Sequence, residues 1–77
     1  MKAEFLQLET GEDVASIRDR LTFLRGQRVL LIWPENGTAL TRKLDLVLVQ
    51  REAMRLAIRL ALITHDAVVI RHAAELN

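Results

Sequence analysis

The sequence contains no cysteine, so disulfide bonds and thiolate metal sites are excluded, and cysteine usage indicates no redox compartment. Aromatic residues are scarce too, at 4% against 51% for hydrophobic residues as a whole. A core must therefore be aliphatic, built from Leu, Ile, Val and Ala. The same apolar content excludes a disordered chain.

Neither sign of charge dominates. The 11 basic and 10 acidic side chains give a net charge of +1, which is too small for a general attraction to nucleic acid or anionic lipid. Long hydrophobic runs are missing as well, because Arg59 and His65 interrupt the longest one, around residues 60–63. We therefore expect no nucleic-acid partner, no signal peptide and no membrane span in this segment. The compartment stays open, with the cytoplasmic side favoured.

The length of 77 residues indicates a single domain over 1–77. A chain of this size buries only about 60–65% of its unfolded surface, so its stability is marginal unless something else contributes. A partner chain, or the remainder of a longer protein, is an attractive source of that contribution.

Apolar runs and helix-like segments alternate along the chain. Strands are predicted at residues 4–9, 29–33 and 59–64, and helices at 13–24, 41–57 and 66–76. This order predicts an α/β fold with a small three-stranded parallel sheet, β-α-β-α-β-α, like half of a Rossmann domain. The strand order stays open, but polar Glu4, Gln7 and Glu9 favour an edge position for the first strand.

Capping residues support two of the helices. Asp13 can cap the first helix and Gly26 stands where a left-handed residue ends it, while Asp66 can cap the last. The second helix carries two apolar stripes. Docking on a sheet needs one of them, formed by Leu46, Val49, Ala53 and Leu56. The opposite stripe is predicted to be an interaction surface, formed by Leu44, Val47, Leu48 and Met54.

Four stretches carry a family resemblance: residues 13–21, residues 28–34, Leu44-Asp-Leu with Gln50-Arg-Glu, and residues 60–66. Together they resemble a small α/β segment near the N-terminus of large, uncharacterised bacterial proteins, some of them envelope-associated or baseplate-like. The resemblance implies a fold and a multidomain context, not a reaction. It also implies a glycine where Ala57 ends the second helix and a fourth strand after the last helix, so by this pattern the sequence is a truncated unit.

Ligand chemistry in a parallel sheet sits beyond the carboxyl ends of the strands. The polar residues there form a possible ligand edge: Asp13, Asn36, Thr38, His65 and Asp66. The simpler interpretation is that they are caps and turn residues. Neither GxGxxG nor GxxxxGK[ST] occurs, and the two histidines are seven apart rather than four, so no cofactor and no metal are expected.

No catalytic motif is present, so we expect no enzyme. The favoured function is a non-enzymatic interaction or assembly module of a larger bacterial protein, with a protein partner, a second copy or the remainder of that protein. The alternative is a small-ligand or nucleotide-binding domain that uses the ligand edge. A receiver-like domain is weaker, because Trp33-Pro34 stands where a phospho-acceptor aspartate is needed.

Overall fold

The structure, a computed structural model, describes residues 3–76. Its elements follow the predicted order: β1 (Ala3–Gln7), α1 (Val14–Leu21) with a 3-10 turn (Thr22–Leu24), β2 (Arg28–Ile32), α2 (Lys43–Arg55), β3 (Arg59–Ile63) and α3 (Ala67–Leu76). The α/β class is therefore confirmed. No helix of the described part is long and apolar enough to cross a membrane.

The three strands form one parallel sheet in the order β1-β2-β3. The prediction that β1 lies at an edge is confirmed. Leu6 pairs with Leu31, and Leu31 with Leu62, so the strands are aligned over their full length. Because crossovers between parallel strands are right-handed, consecutive neighbours place their connecting helices on the same side of the sheet.

The connecting helices α1 and α2 therefore pack against one face, and α3 lies beside α2 in the same layer, where Lys43 and Glu75 form an ion pair of 3.1 Å. The core between the two layers is aliphatic apart from Trp33, as composition predicts. Its fully buried side chains come from every strand-helix unit: Leu8, Ile17, Leu21, Val29, Leu31, Val49, Leu56 and Val69.

The first helix begins as predicted but ends sooner. Asp13 accepts a hydrogen bond from the backbone N–H of Ser16 at 2.9 Å, which satisfies one of the free donors of the first turn. The α-helical part ends at Leu21 and the last turn tightens into the 3-10 turn, a common ending. Gly26 then takes a φ of 77°, the predicted left-handed position.

The second helix is shorter than the predicted 41–57, because both ends are fixed by hydrogen bonds. At its start the Asp45 carboxylate accepts from the backbone and side chain of Arg42. At its end Ile58 N–H donates to Ala53 C=O and Ala57 N–H to Met54 C=O, the Schellman pattern. Ala57 occupies the left-handed position of that motif, with φ 56°.

A buried hydrogen bond fixes the long connection between β2 and α2. Trp33 is buried, and its Nε1–H donates to the Ala39 carbonyl at 2.7 Å, so the indole closes one end of the core. Gly37 packs against Thr10, and a Cβ at that glycine would collide with the threonine side chain. These contacts set the geometry of the loops beyond the strand ends.

Candidate interaction surfaces

The sheet has a second face, which no described helix covers. Strand residues alternate between the two faces, and the register places those on the uncovered side in rows. We call this surface the open face. Its three rows are Ala3, Arg28 and Arg59; Phe5, Leu30 and Ala61; and Gln7, Ile32 and Ile63.

The middle of the open face is apolar. Phe5 is 69% exposed and Ile63 46% exposed, although both belong to a parallel sheet. Leu30 and Ile32 lie between them on the central strand and are half-buried, because their neighbours shield them from the sides. Scattered exposed apolar residues are ordinary, but a contiguous apolar patch across three strands is a candidate interaction site.

One end of the open face is positively charged. Arg28 and Arg59 are register partners on adjacent strands, and both are exposed. Neither forms a salt bridge with a residue between 3 and 76. Like charges on neighbouring strands repel, so an anionic group placed between the two guanidinium groups is stabilising.

The stripe predicted on the second helix is divided between surface and interior. Leu44 is 57% exposed and Met54 is 72% exposed. Val47 and Leu48 are half-buried, and Leu48 lines a cavity beside Val14. The four residues therefore include two separate exposed side chains rather than a continuous open stripe.

At the ligand edge, the carboxylates of Asp13 and Asp66 accept hydrogen bonds from backbone N–H groups. Asp66 accepts from the N–H groups of Val68 and Val69, and its other oxygen accepts from the Thr38 hydroxyl at 2.5 Å. The Thr38 hydrogen bond is the main cause that lowers the pKa of Asp66, and the two backbone N–H groups lower it further against the opposing effect of burial. The capping roles inferred for Asp13 and Asp66 are thus present.

The structure brings only part of the predicted ligand edge together. Asp13 and Thr38 line one cavity of about 510 Å³, and Arg42 and Asp45 line it too. Asn36 and His65 are exposed and are not among its lining residues. Within residues 3–76 no three His, Asp or Glu side chains are close enough together to hold a metal ion.

Sequence reasoning missed the open face. It assigned a parallel sheet, whose strands are normally covered on both faces, and named no exposed sheet face. The available signal was the rule of right-handed crossovers, which places α1 and α2 on one side once the strand order is known to be consecutive. With the strand order left open, that conclusion was out of reach.

Similarity to known proteins adds nothing to this geometry. Comparison with protein-family models, curated proteins and solved structures gives no match. Any function therefore rests on the residues and contacts described above.

Proposed function

We propose that this chain is a non-enzymatic protein-interaction module that binds a partner helix on its open face. The observation that carries the proposal is a parallel sheet with all three helices on one side and exposed Phe5 and Ile63 on the other. Parallel sheets occur almost only with both faces covered. A partner helix supplies the missing layer.

The dimensions of the open face match those of one short helix. Strands of five residues are about 16 Å long, and three of them are about 14 Å wide. The projected area is then about 220 Å² by the same spacings. This is below the roughly 800 Å² per partner of a stable interface, so binding on this face belongs to the weak, transient class. A helix of about 11 residues spans the same 16 Å.

The charges of the open face define the polar part of that helix. Its apolar stripe covers Phe5, Leu30 and Ile63, and carboxylates at one end meet Arg28 and Arg59. Charged hydrogen bonds between guanidinium and carboxylate groups are geometrically specific, and they fix the direction of the helix on the sheet.

Two stapled synthetic peptides of about three turns test the proposal. Both carry a leucine stripe; one has glutamates at one end and the other has lysines in their place. The glutamate peptide should shift the amide signals of Phe5, Ile32 and Ile63 saturably, and the lysine peptide should bind more weakly.

The matched variant is Ile63→Asp, which places a charge in the apolar part without opening the core, since Ile63 is exposed. It should abolish the shifts while the circular dichroism spectrum stays unchanged. Absence of saturable shifts with either peptide would contradict the proposal. Shifts confined to Leu44 and Met54 would transfer the binding site to the second helix.

A further inference from the structure

The two edges of the sheet are built differently. On β1 the Gln7 carbonyl accepts a hydrogen bond from Arg20 Nη2 at 2.9 Å. The same guanidinium is fixed by two bonds from Nη1 to the Glu12 carboxylate, both at 2.9 Å. Polar Glu4 also lies on this strand. Bound backbone groups and polar side chains are how proteins protect an edge from further pairing.

On the β3 edge no outward backbone group of the described residues is bound, and the one charged side chain, Arg59, lies at the start of the strand. Arg59 N–H donates to Gln27 C=O, and Ile63 C=O accepts from Trp33 N–H, so these two residues face β2. In a parallel ladder the alternate residues, Leu60 and Leu62, direct their N–H and C=O groups to the other side. No described strand pairs there.

An apolar groove lies between β3, α2 and α3. Its volume is about 460 Å³, and its lining includes Leu60 and Leu62 of β3, Ala73 and Ala74 of α3, and Leu46 and Val49 of α2. One turn before Ala74, on the same flank of α3, Ile70 is 51% exposed. The groove thus connects β3 with α3.

We propose that β3 pairs antiparallel with β3 of a second copy around a two-fold axis at Ala61. Leu60 then exchanges hydrogen bonds with Leu62 of the second copy, and the reverse pair forms on the other side of the axis. Ala61 lies opposite Ala61 of the second copy in a non-hydrogen-bonded pair. In such a pair the Cα atoms are about 4.5 Å apart, and a small side chain fits there. Arg59 faces Ile63 of the second copy, so no like charges are opposed.

The required area favours a second copy over a lone added strand. Two paired strands of five residues cover too little surface for the roughly 800 Å² per partner of a stable interface. A second copy brings its own α3 flank as well as its β3 edge, and so covers the groove and Ile70 together. This dimer forms through the β3 backbone edge, which borders the open face at Arg59, Ala61 and Ile63. It does not depend on a helix binding to that face.

Charge pairs at Ala61 test the two-fold axis. Ala61→Glu and Ala61→Lys each place like charges directly opposite each other in the dimer, which should weaken it by up to about fivefold. In an equimolar mixture the two variants should restore association as a heterodimer. Sedimentation equilibrium measures the dissociation constants, and the wild-type dimer has twice the 8.8 kDa mass of the chain.

Phe5→Glu is the matched control, because Phe5 occupies the same register row on the opposite edge. It should leave the dissociation constant unchanged, whereas Ile70→Glu on the helix flank should raise it. Circular dichroism confirms that each variant is folded. A wild-type chain that stays monomeric at all concentrations, a mixture that does not reassociate, or a Phe5→Glu variant that dissociates would each overturn the β3 dimer.

Discussion

Replacing Ala57 with glycine should stabilise the protein. Ala57 has a φ of 56° at the end of α2, and the left-handed conformation costs a residue with a Cβ about 1–2 kcal/mol. Glycine removes that cost but adds about 0.4–1 kcal/mol of unfolded-state entropy. Ala57 is exposed, so its methyl group contributes no core packing. The net gain should be about 0.5–1 kcal/mol, or roughly 2–8 °C in Tm for a domain of this size.

Urea unfolding followed by circular dichroism measures this gain. The control is Ala15→Gly, at an exposed position inside α1, where glycine should destabilise by up to about 1 kcal/mol. The reasoning fails if Ala57→Gly is as destabilising as Ala15→Gly, because the left-handed strain at the end of α2 would then be absent.

Three further outcomes are expected. Trp33→Phe removes the indole donor from the buried Ala39 carbonyl and should cost about 1–3 kcal/mol in urea unfolding. Burial raises the pKa of Glu12, but hydrogen bonds from a backbone N–H, an arginine and a serine outweigh it and leave this pKa below 4.5. The folded state is therefore favoured above pH 4.5 and loses this stabilisation as the pH falls through the lowered pKa, so Glu12→Gln should flatten the acid side of a stability profile. Met54 lies on the surface, so Met54→Asp should change the free energy of unfolding by less than about 0.5 kcal/mol. Leu48 is half-buried, so Leu48→Asp should reduce that free energy by more than about 1 kcal/mol.

Local signals in the sequence are sufficient for most of the fold. The stripe with Leu46, Val49 and Leu56 is buried as predicted, because a period of 3.6 residues fixes which side of a helix meets the sheet. Asp13 and Asp66 cap the helices they were expected to cap, since short carboxylate side chains satisfy free N–H groups wherever the local chain allows it.

The surfaces depend on relations that are not local. Whether Ile32 and Ile63 are covered is decided by strand order, which periodicity does not contain. The end of α2 at Arg55 depends on hydrogen bonds from Ala57 and Ile58 to carbonyl groups of the preceding turn. Ala57 stands there in place of the usual glycine, so the sequence carries no clear signal for the helix end. The exposure of the sheet face and the end of α2 both depend on neighbouring elements, and not on the residues themselves.

Paramagnetic relaxation of isoleucine methyl signals by a soluble probe tests the exposure of the open face most directly. A soluble paramagnetic probe should broaden the methyl signals of Ile32 and Ile63 in the free chain, while buried Ile17 stays sharp. Adding the glutamate peptide should then protect Ile32 and Ile63 and leave Ile17 unchanged. Ile32 and Ile63 signals as protected as that of Ile17 in the free chain would show that the face is already covered, and would contradict its role as a binding surface.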